Sequence, residues 1–160
     1  MDTDPSLGFA RHDHATCVGT ALAQAERLCA DRGLRLTPTR RRALEILLEG
    51  HAAMGAYDIL ERFSAEGLGD KPPVAYRALG FLVDNGFAHR IERLNAYVAC
   101  THPGDAHDPA FLICRDCGTV GEALTEARAL QQAAKAAGFR IDQRLIEAEG
   151  LCPTCQDKPA

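Results

Sequence analysis

Tryptophan is absent, aromatics make up 6% of the chain, and no stretch approaches the roughly 18 uninterrupted apolar residues of a membrane span. The opening MDTDPSLGFARHDHATC has neither the basic start nor the apolar run of a secretion signal. A cytoplasmic protein without membrane contact is therefore expected, in a compartment where cysteines stay reduced. An excess of positive charge is also missing. The formal net charge is −4, distributed as −2 over residues 1–19, +1 over 20–94 and −3 over 95–160. Charge alone does not suggest nucleic acid, so any DNA contact has to rest on local clusters. Seven cysteines make an odd count, awkward for a secreted disulfide framework.

What is present begins with 46% apolar residues in a 160-residue chain, enough for one ordinary domain or two small ones. Residues 1–17 show little periodicity and read as a flexible N-terminal tail. From about Ala15 to Asp31, Leu22, Ala25, Leu28 and Cys29 fall at helical spacing, and Gly33 ends the run. In LRLTPTRRRALEILLEG, Thr37 suits an N-cap and Pro38 the first helical position. Ala43, Leu44, Leu47 and Leu48 give this second helix its inner face. A third helix reads from GAYDILERFSAEGLG and a fourth from KPPVAYRALGFLVDNG. Two extended stretches, 87–92 and 96–100, then flank a turn at Leu94–Asn95.

This order predicts a winged helix-turn-helix. At 100° per residue, Ala75, Ala78, Leu79 and Leu82 form the buried stripe of the fourth helix, with Pro73, Tyr76, Arg77, Gly80 and Asp84 opposite. Tyr76 and Arg77 project together near the helix N-terminus, the part that enters the major groove in such folds. Arg40, Arg41, Arg42 and Lys71 lie at helix starts, where they can hold phosphates. A Tyr and an Arg on a polar helix face are otherwise only solvated, so the case rests on the surrounding order.

Beyond Cys100 the pattern becomes β-β-α-β: AFLIC, TVGEAL, a helix over TEARALQQAAKAAG, and a long strand over FRIDQRLIEAEG. So small a unit needs a staple or a partner. Cys114-x-x-Cys117 and Cys152-x-x-Cys155 bracket it, 34 residues apart. Four thiolates give zinc a closed tetrahedral set, and such a site adds folding free energy. A thioredoxin-like redox pair fits less well, because no strand–helix alternation surrounds either motif. The expected class is α+β: an N-terminal winged-helix domain over 18–94, a hinge over 95–101, and a zinc-stapled α/β domain over 102–157.

AYDIL, KPPVAYRALGFLVDNGFAHRIERLNAYVAC, FLICRDCG and IEAEGLCPTC together resemble the ferric-uptake-regulator (Fur) superfamily. The likeness spans roughly residues 20–156 and is strongest toward the zinc uptake regulators. It implies a metal-activated repressor and homodimer that binds palindromic, AT-rich double-stranded operator DNA, with the C-terminal domain dimerising. It also implies a second, regulatory zinc at the hinge, held by His89, Cys100, His107 and Glu122, and so two zinc ions per chain. Two imidazoles, a thiolate and a carboxylate independently suit zinc.

Each ligand has a competitor. Cys100 at a strand end also reads as a small buried hydrophobe. His102 lies five residues before His107 in the same loop. A strand glutamate such as Glu122 is commonly solvated. His12 and His14 fall in the expected tail, His51 reads as a turn residue, and Cys17 and Cys29 have no partner motif.

Iron- and peroxide-sensing members of the superfamily carry a His-rich run that CTHPGDAHDPAF replaces here, so a third metal site is not expected. A regulator of iron, manganese or peroxide response remains the alternative. A zinc hydrolase or deaminase is disfavoured: four protein ligands leave no open position for water, and neither Cys pair follows a Pro.

Overall fold

The computed structural model describes residues 8–9, 14–105 and 107–158. Four helices come first: α1 (His14–Asp31), α2 (Pro38–Leu48), α3 (Ala56–Ala65) and α4 (Pro72–Asp84). A two-stranded wing follows, β1 (Ala88–Ile91) and β2 (Ala96–Ala99). The second unit holds β3 (Pro109–Cys114), β4 (Val120–Leu124), α5 (Arg128–Ala136), β5 (Ile146–Gly150) and α6 (Pro153–Gln156). Among the described residues no helix is long and apolar enough to cross a membrane.

Local chemistry sets the helix ends. The Thr37 hydroxyl accepts from the Arg40 amide, and Pro38 opens α2 where no N–H is needed. At the end of α4, Gly86 takes a φ of +77°, which lets the Phe87 amide reach the Leu82 carbonyl at 2.8 Å and turns the chain into β1. In the wing, the left-handed position falls to Asn95, φ 47°.

The first core joins the helices: Leu22, Ala25 and Cys29 of α1, Leu44 and Leu47 of α2, Ile59 and Phe63 of α3, and the whole expected stripe of α4. On α2, Ile46 joins Ala43, Leu44 and Leu47 as a buried residue, while Leu48 is half-buried.

A second cluster joins the wing to the other unit. Ile91 and Val98 pack on Phe111, Ile113 and Val120, with Ala53 alongside. Polar contacts seal the same seam. The Val120 amide donates to the His51 carbonyl at 2.8 Å. Glu147 on β5 accepts the amides of Glu92 (2.7 Å) and Arg93 (3.0 Å). The second sheet runs β4-β3-β5, antiparallel then parallel.

Three expectations shift. Residues 95–101 are not a bare hinge: β2 pairs with β1 from Ala96↔Ile91 to Ala99↔Ala88, so the winged unit extends past Leu94. The Cys100 amide still bonds the Phe87 carbonyl at 2.9 Å, and the chain leaves the wing only after it. The strand expected over 139–150 shortens to β5, because among the described residues it pairs with β3 alone, which starts at Pro109 and has no N–H there to extend the ladder. Most of the expected tail, His12 included, lies outside the described residues, but α1 begins at His14. Gly8 and Phe9 sit against β4: a Cβ on Gly8 would come within 2.7 Å of the Gly121 Cα, and one on Gly121 within 2.5 Å of the Phe9 ring.

Candidate metal centres and nucleic-acid interface

β1, the end of β2, the following loop and β4 each deliver one polar side chain to the seam. They are His89, Cys100, His107 and Glu122, whose ligand atoms all lie within 4.8 Å of one another. The His107 Nε2 stands 2.7 Å from Glu122 Oε1, and His89 Nε2 stands 3.3 Å from the same oxygen. The Cys100 Sγ lies 3.6 Å from His107 Nε2 and 3.9 Å from Glu122 Oε1. Tetrahedral zinc with bonds of about 2.0–2.3 Å separates its ligand atoms by roughly 3.3–3.8 Å, so the set is close to that size already.

The electrostatics show a site built around something positive. Glu122 is buried (7% exposed), and among the described residues its hydrogen-bond and ion-pair partners include no Lys or Arg. Burial pushes its carboxyl up, but His89 and the Thr101 donors outweigh that and hold it at about 2. The Cys100 thiol moves the other way, to about 12, through burial and then the Glu122 charge. His89 Nε2 is buried yet makes no hydrogen bond of acceptable geometry despite its 3.3 Å approach to Glu122. A buried imidazole nitrogen without a partner costs free energy that a metal bond would repay. The Asp105 carbonyl, 2.7 Å from His107 Nδ1, fixes that ring with Nε2 free to ligate. The residues therefore fit zinc.

Cys114, Cys117, Cys152 and Cys155 form the other cluster, again within 4.8 Å, and all are free thiols. Cys117 and Cys152 sulfurs are 3.7 Å apart, and the Cys152 amide donates to Cys114 Sγ at 3.3 Å. Backbone amides of Cys117 and Cys152 bring the Cys114 thiol below its ordinary value, to about 6. Asp116 pushes the Cys155 thiol upward, so the four do not ionise alike without a cation. Phe9 packs against this cluster.

On α4, Tyr76 (46% exposed) and Arg77 stand clear of the core, and Lys71 is exposed at its N-cap. The arginines of α2 differ. Arg40 stacks 3.8 Å over the Phe81 ring and donates to the Arg35 carbonyl at 2.6 Å. Arg41 pairs with Glu26 and Glu45, and Arg42 with Glu45, Glu49 and Glu66. Each thus has partners inside the protein.

Between the competing histidines, the structure brings His107 into the cluster and leaves His102 outside it. Sequence reasoning missed Thr101, which binds Glu122, and the Gly8–Phe9 contact. An isolated glycine inside a strand signals close approach of another group, and Gly121 was that signal.

A winged helix joined to a small mixed sheet, with one ligand set across the join and one inside the second unit, is the architecture of two-domain winged-helix metalloregulators. No family model matches the chain. It is 41% identical over 143 residues to the zinc uptake regulation protein of Escherichia coli (strain K12), covering 87% of this chain and 83% of that one. A solved zinc uptake regulator complexed with zinc and DNA matches at a TM-score of 0.82 and 40% identity, over 88% of this chain and 95% of that one. The holo form of XcZur matches at 0.79 and 39% identity, over 87% of this chain and 99% of that one; its apo form, at the same identity, matches at 0.51. The chain belongs to the zinc uptake regulator family of the ferric-uptake-regulator superfamily, and its structure superposes better on the holo relative than on the apo one.

Proposed function

We infer that the protein is a zinc-responsive transcriptional repressor that binds operator DNA as a zinc-loaded homodimer and controls zinc uptake genes. The observation that carries this reading is the placement of His89 on the wing and Glu122 on the second sheet, facing each other across the seam. A zinc ion there supplies one positive centre that four groups from both units can share.

The chain's own residues do the rest. His89 reports the position of the wing, which the Gly86 turn and the Phe87–Leu82 hydrogen bond tie to α4. Glu122 and His107 report the position of the second unit. Cys100 would hold the ion as a thiolate and restrict the set to borderline-soft ions, which favours zinc over iron or manganese. With the four held together, α4 keeps a fixed attitude, presenting Tyr76 and Arg77 toward a major groove, with Lys71 near the phosphates. Arg40, Arg41 and Arg42 have a smaller part in that contact, since each already has intramolecular partners.

The four-cysteine set holds a second, structural zinc, giving two per chain. Leu112, Leu124, Leu130, Phe139 and Leu145 are exposed on the C-terminal unit and fit a dimer surface. A homodimer reads two half-sites related by a dyad, hence a palindromic operator, expected to be AT-rich. A cytoplasmic location follows from this role.

The test is selection of duplexes from a random pool with the zinc-loaded protein, then affinity measurement across buffered free zinc. A palindromic product whose affinity falls steeply when hinge zinc is stripped supports the reading. Equal affinity with and without that zinc overturns it.

A further inference from the structure

Glu122 presents its two oxygens very differently. Oε2 accepts the Thr101 amide at 2.9 Å and the Thr101 hydroxyl at 3.0 Å. Oε1 faces His107 Nε2, His89 Nε2 and Cys100 Sγ. The carboxylate side chain is 2% exposed, so these partners meet little competition from water.

A hydroxyl carries one proton. Donated to Glu122, it leaves the Thr101 oxygen as an acceptor, and His102 Nδ1 stands 2.9 Å away to donate into it. The His102 amide meanwhile approaches the Cys100 sulfur at 3.4 Å. The two residues after Cys100 therefore line the back of the ligand set: one amide on the carboxylate, one amide on the thiol, and a hydroxyl held in place by an imidazole. His102, outside the ligand set, acquires a role here.

We propose that Thr101 is a positioning residue whose hydroxyl, oriented by His102, sets the metal preference of the hinge site: it is needed beside the Thr101 amide to reserve Glu122 Oε2 and leave only Oε1 to ligate. This rests on the reading of His89, Cys100, His107 and Glu122 as the zinc-sensing set. A carboxylate that offers one oxygen completes a set of four, which suits zinc. A carboxylate free to offer both raises the coordination number toward the five or six that manganese and ferrous iron take with oxygen-rich sets. The Thr101–His102 pair thus discriminates by coordination number, in addition to the softness set by Cys100.

The experiment uses the full chain with its four-cysteine site already zinc-loaded. Zinc, manganese and cobalt are titrated into the hinge site of the unaltered protein and of Thr101→Val, Thr101→Ser and Glu122→Gln. Retention of the first zinc and an unchanged circular dichroism spectrum establish that each variant is folded. Thr101→Val is expected to lose about 10- to 100-fold in zinc affinity, as removal of an outer partner commonly does. Its manganese affinity should fall less, so the zinc-to-manganese ratio drops. Bound cobalt should lose the intense visible absorption of a four-coordinate ion, and Thr101→Ser should restore both properties. An unaltered ratio and cobalt spectrum in Thr101→Val, with hinge zinc lost in Glu122→Gln, overturns the proposal alone. Hinge zinc unaffected in Glu122→Gln overturns the sensing-site reading, and this proposal with it.

Discussion

Arg42 and Glu66 meet as a fork, with Nε and Nη2 each 2.7 Å from a different carboxylate oxygen, tying α2 to the turn after α3. A planar guanidinium with both of these donors on one carboxylate has reduced capacity to bind phosphate. Arg42→Ala should therefore lower the thermal midpoint by a few degrees and leave operator affinity close to unaltered. The Glu66 carboxyl is held below its ordinary value, first by the hydrogen bonds from Arg42. The pair's contribution is thus complete above the ordinary carboxylate range and fades as pH falls through the depressed value. Melting both proteins from neutral pH into acid should show the difference shrinking; a difference that grows in acid contradicts the assignment.

Arg77→Ala and Tyr76→Ala remove side chains that touch no core. Each should weaken operator binding, with about 1–3 kcal/mol expected if Arg77 reads a base edge. Zinc stoichiometry and thermal midpoint should stay as they were. Operator titration beside zinc counting by native mass spectrometry checks this, and unchanged affinity in both variants would remove α4 as the reading helix.

Cys100→Ser keeps the size of a buried side chain while replacing the thiol with a poorer zinc ligand. The variant should fold, dimerise and keep one tightly held zinc per chain, yet need far more free zinc to bind operator. A full zinc response at the ordinary concentration would take Cys100 out of the sensor.

Cys152→Ser strikes the other cluster. Cys114, Cys152 and Cys155 are buried at the base of β3 and β5, where few apolar side chains replace what a metal supplies. The expected result is loss of protection in β3, β4 and β5 by hydrogen exchange and loss of the dimer, with α1–α4 retained. Protected C-terminal strands in the zinc-free variant would show that the unit folds without its staple.

Helix placement was legible because the helix-stop and cap residues acted locally: Thr37, Pro38, Gly33 and Gly86 fix ends whatever the rest of the chain does. The α4 stripe was legible for the same reason, as one period ran through a single helix. The strand over 139–150 was not, because its length depends on its neighbour, and Pro109 lies some thirty residues away in sequence. The clustering of His89, Cys100, His107 and Glu122 at the seam was legible only by resemblance to a family. Nothing in their spacing brings His89 to Glu122; the register of β1 on β2 and the packing of Ile91 and Val98 on Phe111 do. The engagement of Arg40, Arg41 and Arg42 with the protein was hidden too, since the glutamate partners of Arg41 and Arg42 come from α1, from α2 and its end, and from the turn after α3, while Arg40 meets Phe81 of α4.

The seam does not depend on the ion alone. Ile91 against Phe111, the Val120 amide on His51, and Glu147 on the amides of Glu92 and Arg93 all favour the closed arrangement before any metal arrives. Under the proposed function, zinc would have to supply only the remaining difference between open and closed states, and the concentration at which it did so would be the set point. Residues such as Glu147 can move that set point up or down while the four ligands, and the identity of the ion they accept, stay the same. Under that reading, how much zinc counts as enough is adjustable through side chains that lie outside the metal-binding cluster.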